Sequence, residues 1–150
     1  MGFFDIFKSS GKERPSPSDW LPQDAIENWV KDLPWEKLRV GFLGLSQEPK
    51  VWIPMIPDTN SMDGVFDYGN NNILIAGNIP EDHLKIINAL MVGDIAVYKT
   101  AKTYAIHRIV DIGNDGLGRY YRFKGDNNAV KDPERVRVYN IDWISIGTIY

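Results

Sequence analysis

From Leu38 to Tyr150 the chain is a succession of short apolar runs, rich in β-branched and aromatic residues, each cut off by Gly, Pro, Asn or Asp. The runs are LRVGFLGL, VWIPMI, NILIA, DIAVYKT, TYAIHRIV, RYYRFKG, RVRVYN and WISIGTIY. Val, Ile, Tyr and Phe suit a pleated, half-buried surface, and runs this short suit strands better than helices. Their number and close spacing predict a mainly β domain over residues 38–150: a strongly bent antiparallel sheet or partial barrel. The turn formers Gly113, Asn114, Asp115, Gly116 and Gly118 mark a hairpin. One segment breaks the pattern. PEDHLKIINALM, Pro80 to Met91, has a leading proline, early acids and helical apolar spacing, and reads as a short inserted helix.

Ahead of this domain, residues 1–18 read as a flexible or docking arm that ends in the polar, proline-rich SSGKERPSPS. Residues 19–37 read as a helical lead-in. Ser18 or Asp19 caps it, it runs to about Leu33, and Pro34 stops it. Its stripe of Ile26, Trp29, Val30 and Leu33 suits packing on the domain.

Composition narrows the chemistry. The formal charge of −3 gives no basic field for nucleic acid, so no nucleic-acid partner is expected. There is no cysteine, and the two histidines, His83 and His107, show no zinc-binding spacing. Dinucleotide and phosphate-loop patterns are absent as well. No metal and no cofactor are expected. No apolar run approaches the roughly 20 residues that span a bilayer. MGFFDIFK lacks the apolar core and small-residue cleavage site of a signal peptide. Phe3, Phe4, Ile6 and Phe7 form either a brief membrane- or partner-touching segment or a terminus tucked onto its own domain. The expected location is cytoplasmic or virion-associated, or peripheral to a membrane. Oligomeric state is left open.

Three places carry candidate chemistry. Ser61, in PMIPDTNSMDG, lies between a strand-like run and a turn cluster, where a hydroxyl can be presented; most loop serines do nothing of the kind. His107 lies in TYAIHRIV, where alternation puts it with Ala105 and Ile109 on one face, and Tyr104, Ile106 and Arg108 on the other. An imidazole there suits a general base, or is simply a satisfied core histidine. In FKGDNNAVKDPERV, Asp126 and Asp132 each offer a carboxylate that can fix an imidazole tautomer, although such a loop can equally serve its own turns.

Order and wording of these pieces resemble the clan of serine peptidases that contains the type I signal peptidases and the self-cleaving LexA-like repressors. The resemblance spans roughly Ile53 to Tyr150. Ser61-Met62 is similar to the clan's Ser-Met pair, Gly93-Asp94 to its Gly-Asp box, and IHRIV to the histidine form of its base-bearing strand. KGDNNAVKD, the most specific piece, and the closing ISIGTIY resemble the archaeal and endoplasmic-reticulum-type signal peptidases.

The resemblance implies a serine endopeptidase acting on an extended peptide or protein substrate. Ser61 would be nucleophile, His107 base, and Asp132 the carboxylate orienting His107, with Asp126 supporting the loop or sharing that role. Thr59, two positions before the serine, and the Ser61 amide would bind the oxyanion. It further implies that Ser61 Oγ lies within hydrogen-bond reach of one His107 nitrogen and a carboxylate near the other.

Three features depart from the pattern. Gly64 stands where proline is usual, Asn70 stands in YGNNNILIA in place of an acid, and Gly77 to Val92 looks inserted, as a lid or a partner-binding element. Neither a helix-turn-helix before Ile53 nor an Ala-Gly or Cys-Gly bond before Ser61 is present, so repressor-type self-cleavage is not expected. The alternative is a catalytically silent peptide-binding or structural module, of phage or mobile-element type, that keeps the fold.

Overall fold

The computed structural model describes residues 13–15 and 38–150. The helix expected near residues 19–33, the phenylalanines of the N-terminal segment and most of the expected arm lie outside the described residues.

Seven strands form one open antiparallel sheet: β1 (Lys50–Trp52), β2 (Asn71–Ala76), β3 (Ile95–Lys99), β4 (Tyr104–Asp115), β5 (Gly118–Lys124), β6 (Val136–Arg137) and β7 (Ile141–Ile149). Their order across the sheet is β1-β2-β7-β3-β4-β5-β6. Both edge strands are very short, three residues in β1 and two in β6. Register shifts interrupt the β2–β7, β3–β7 and β4–β5 ladders, and extra residues of this kind bend and twist a sheet without closing it. The expected hairpin is β4–β5, with Asp115 opposite Gly118 across a two-residue turn.

Strand alternation separates two apolar clusters. Ile75, Ala96, Tyr98, Ala105, Ile109, Tyr121, Phe123 and Ile144 form one, together with Ile87 and Leu90 of the single described helix α1 (Pro80–Ala89) and its end. Leu74, Val97 and Ile106 join the other, which the segment after β1 covers with Ile56, Met62 and Phe66. The helix follows the expected span, with Pro80 in its first turn and Glu81 and Asp82 behind it.

One expected strand is not formed. LRVGFLGL is irregular, with a turn at residues 43–44 and Gly44 at φ +87°. Val40 packs on the first cluster, but the chain beyond it finds its partner in a side chain and not in a ladder. The buried Asp82 carboxylate accepts the N–H groups of Ser46 (2.9 Å) and Gln47 (2.9 Å). Those N–H groups, despite the burial that opposes them, hold the Asp82 carboxyl below its usual range.

Beyond β1, Pro54 removes a ladder donor, yet the chain keeps company with the start of β2. Asn72 N–H donates to Pro54 O (3.1 Å), Ile56 N–H donates to Asn70 O (2.8 Å), and Met55 bridges Asn71. This pairing delivers residues 57–64 to the sheet.

Candidate active site

The turn that presents Ser61 is held from two sides. Within it, Val65 and Phe66 N–H groups return to Met62 O, and Gly64 takes φ +87°, which glycine adopts freely and a proline could not. Asn60, just before the serine, is left-handed at φ +57°, a conformation uncommon for residues other than glycine and best tolerated by Asn and Asp. From outside, the loop after β5 clasps the turn. Asn127 N–H donates to Ser61 O (2.9 Å), Asn127 Nδ2 donates to Asn60 O (2.9 Å), and Met62 Sδ accepts the Asp126 N–H (3.3 Å).

Gly125 is required here by space. A Cβ on it would stand 2.6 Å from Ser61 O and 2.6 Å from the Asn128 amide nitrogen. The β4–β5 ladder ends with Arg108 opposite Lys124, and Gly125 is the first residue beyond it. The Ser61 carbonyl fills the place that a side chain on Gly125 would take. The loop after β5 thus touches both residues, meeting Ser61 through Asn127 and His107 through Asp132.

The same loop returns at its other end to the histidine. Asp132 N–H donates to Phe123 O (2.9 Å), which anchors the backbone to β5. His107 Nδ1 then lies 2.6 Å from Asp132 Oδ2. A carboxylate accepts, so Nδ1 carries the proton, and in the neutral ring Nε2 bears the lone pair. Tyr98 OH donates to the same Oδ2 at 2.5 Å. Burial opposes the charge on Asp132, but the bonds from His107 and Tyr98 outweigh it, and its carboxyl lies below the usual range. Burial, followed by the adjacent Asp132 charge, pushes the Tyr98 phenol far above its ordinary value.

Asp126 goes elsewhere. Its carboxylate takes a two-pronged bond from Arg108, Nε to Oδ1 at 2.9 Å and Nη2 to Oδ2 at 2.6 Å. Arg108 Nη1 also donates to Gly93 O (2.8 Å), so this pair ties the loop to the Gly-Asp turn before β3. Of the roles open to Asp126, the geometry matches loop support and not the orientation of His107.

The hydrogen bond expected between Ser61 and His107 is not made among the described residues. Ser61 Oγ instead lies 3.3 Å from Thr59 Oγ1. Ser61 is 4% and His107 3% exposed, so the pair sits beneath the surface. Tyr98 and Asn127 were not anticipated from sequence. Tyr98 has a signal in hindsight: it stands two residues after Ala96, the β3 partner of His107, and so on the histidine's face.

His83 is structural. Its Nδ1 accepts from Gly77 N–H (3.1 Å) and its Nε2 lies 2.8 Å from Ile141 O, so both ring nitrogens are occupied. Among the described residues the carboxylates of Glu13, Asp63 and Asp67 gather within 4.8 Å of one another, the one group of potential metal ligands, where none was expected. Arg14 N–H donates to Asp63 Oδ2 there (3.2 Å). Lys85, Ile86 and Ala89 of the inserted helix line a cavity of about 610 Å³, together with residues 42–45 and residues 144–146 of β7. No described helix is long and apolar enough to cross a membrane.

Comparisons with protein-family models, with curated proteins and with solved structures each find no match.

Proposed function

We propose that this chain is a serine endopeptidase in which Ser61 is the nucleophile, His107 the general base and Asp132 the residue that orients it. The observation that carries this reading is the 2.6 Å His107–Asp132 bond, made by the loop whose Asn127 N–H also holds the Ser61 carbonyl. The reaction requires Ser61 Oγ to leave the Thr59 hydroxyl and meet His107 Nε2. Oγ then attacks the peptide carbonyl, its proton passes to Nε2, and Asp132 stabilises the imidazolium. The oxyanion collapses, the C–N bond breaks as Nε2 returns the proton to the leaving amine, and water, deprotonated by His107, hydrolyses the acyl-enzyme to the acid and free Ser61. The Thr59 hydroxyl and the Ser61 N–H serve the oxyanion, a donor of that kind contributing about 3 kcal/mol to the transition state. The substrate class is an extended peptide or protein segment.

The test is labelling with a serine-directed fluorophosphonate. Wild type is expected to label, and Ser61→Ala and His107→Ala to lose the label while remaining folded. A second reading, a module that binds peptide without cutting it, draws on one observation: Ser61 is nearly buried and its hydroxyl is engaged by Thr59. A folded wild type that takes no label decides for this second reading.

A further inference from the structure

We infer that Tyr98 is a positioning residue of this site: through Asp132 it fixes the tautomer and the setting of His107. The inference rests on the peptidase reading and adds a fourth member to it. Asp132 lies on a loop, and a loop carboxylate left to itself turns about χ2 and offers either oxygen. Three strands remove that freedom. β5 holds the backbone, through Asp132 N–H to Phe123 O (2.9 Å). β3 holds the side chain, through Tyr98 OH to Oδ2 (2.5 Å). β4 supplies His107 to that same oxygen at 2.6 Å.

Tyr98 is itself immobile. It is 1% exposed, and its ring stacks on Phe123 with centroids 4.2 Å apart. Register explains the convergence. Ala96 pairs with His107 and Tyr98 with Ala105, so Tyr98 and His107 are diagonal neighbours on one face, their rings 6.3 Å apart. A buried hydroxyl needs an acceptor, but a backbone carbonyl would satisfy it equally well. Here it takes the oxygen that receives the histidine's proton, and two donors on one oxygen hold it as an acceptor only.

Tyr98→Phe keeps the stacked ring and removes the donor. The direct readout is the far-downfield proton resonance of His107 Nδ1–H, assigned by its loss in Asp132→Asn. In Tyr98→Phe this resonance is expected to broaden or vanish, because the released carboxylate turns and Nδ1–H exchanges with water. Fluorophosphonate labelling is expected to slow roughly tenfold, the scale of one lost bond to a charged group. A folded Tyr98→Phe protein with the wild-type resonance and labelling rate would overturn the inference and leave Tyr98 a core residue.

Should Tyr98→Phe fail to fold, a fluorinated tyrosine at position 98 keeps the ring and makes the hydroxyl a stronger donor. The His107 resonance is then expected to move, and an unmoved one overturns the inference. The two proposals fail separately. A wild type that does not label removes the peptidase reading, while the resonance still decides whether Tyr98 holds the Asp132–His107 pair.

Discussion

Asp126 and Asp132 are two aspartates on one loop with different work, and their partners divide it. Asp132 meets a ring nitrogen inside the sheet, whereas Asp126 meets a guanidinium whose side chain is still 31% exposed. Asp132→Asn keeps the shape of the side chain but allows an amide N–H to face His107, which favours the wrong tautomer. On the proposed peptidase reading, labelling is expected to fall by at least about a hundredfold, the scale known for loss of the orienting carboxylate in Ser-His-Asp triads. Asp126→Asn is expected to cost on the order of 1 kcal/mol of stability, little for a pair this open to water, with labelling of the folded protein near wild type. Denaturant melts and labelling rates on both variants check this, and equal labelling losses would contradict the division. From sequence both residues were candidates. Only the direction of each side chain separates them, and that depends on where β4 and β5 place Arg108 and His107.

At the scale of elements, the inserted helix is held by its first turn. Asp82 gathers the Ser46 and Gln47 amides, and His83 bridges Gly77 to the start of β7. The chain between β2 and α1 therefore passes very close to the helix. A Cβ on Gly77 would stand 2.1 Å from His83 N and 2.3 Å from His83 Cα, both backbone atoms that no rotamer change can move. Gly77→Ala is expected to destabilise the protein by roughly 3 kcal/mol, the upper range for forced overpacking. A denaturant melt reads it, and a loss below about 0.5 kcal/mol would show that helix and turn can part freely. The helix itself was legible in the sequence, since proline, early acids and apolar spacing act within one turn. LRVGFLGL was misread for the converse reason. Its β-branched and apolar residues suit a strand, but a strand needs a ladder, and Asp82 takes two of the following N–H groups first.

At the scale of the molecule, three depressed carboxylates set the response to acid. Asp82 is lowered chiefly by the Ser46 N–H, against its burial, and Asp115 chiefly by its bond to Arg137; Asp132 is lowered although burial opposes it. A carboxyl whose folded-state value lies below its unfolded value of about 4 contributes stability above that pH. The contribution is lost as pH falls through the folded-state values. The thermal midpoint is therefore expected to be level above about pH 5 and to decline below about pH 4, and Asp115→Asn to flatten that decline. A midpoint that holds to about pH 3 would deny these bonds their part in the native state.

The chain by itself determined what short-range physics governs. Alternation and turn residues specified a mainly β domain with one inserted helix, and alternation alone put His107 on the face of Ala105 and Ile109. Tertiary structure decided what depends on register. It opened the sheet, sent Asp132 and not Asp126 to His107, brought Tyr98 to the same oxygen, and laid the Ser61 carbonyl over Gly125. A strand's own pattern says which way a side chain points, but not what stands opposite it; that follows from ladder pairings between segments far apart in the chain.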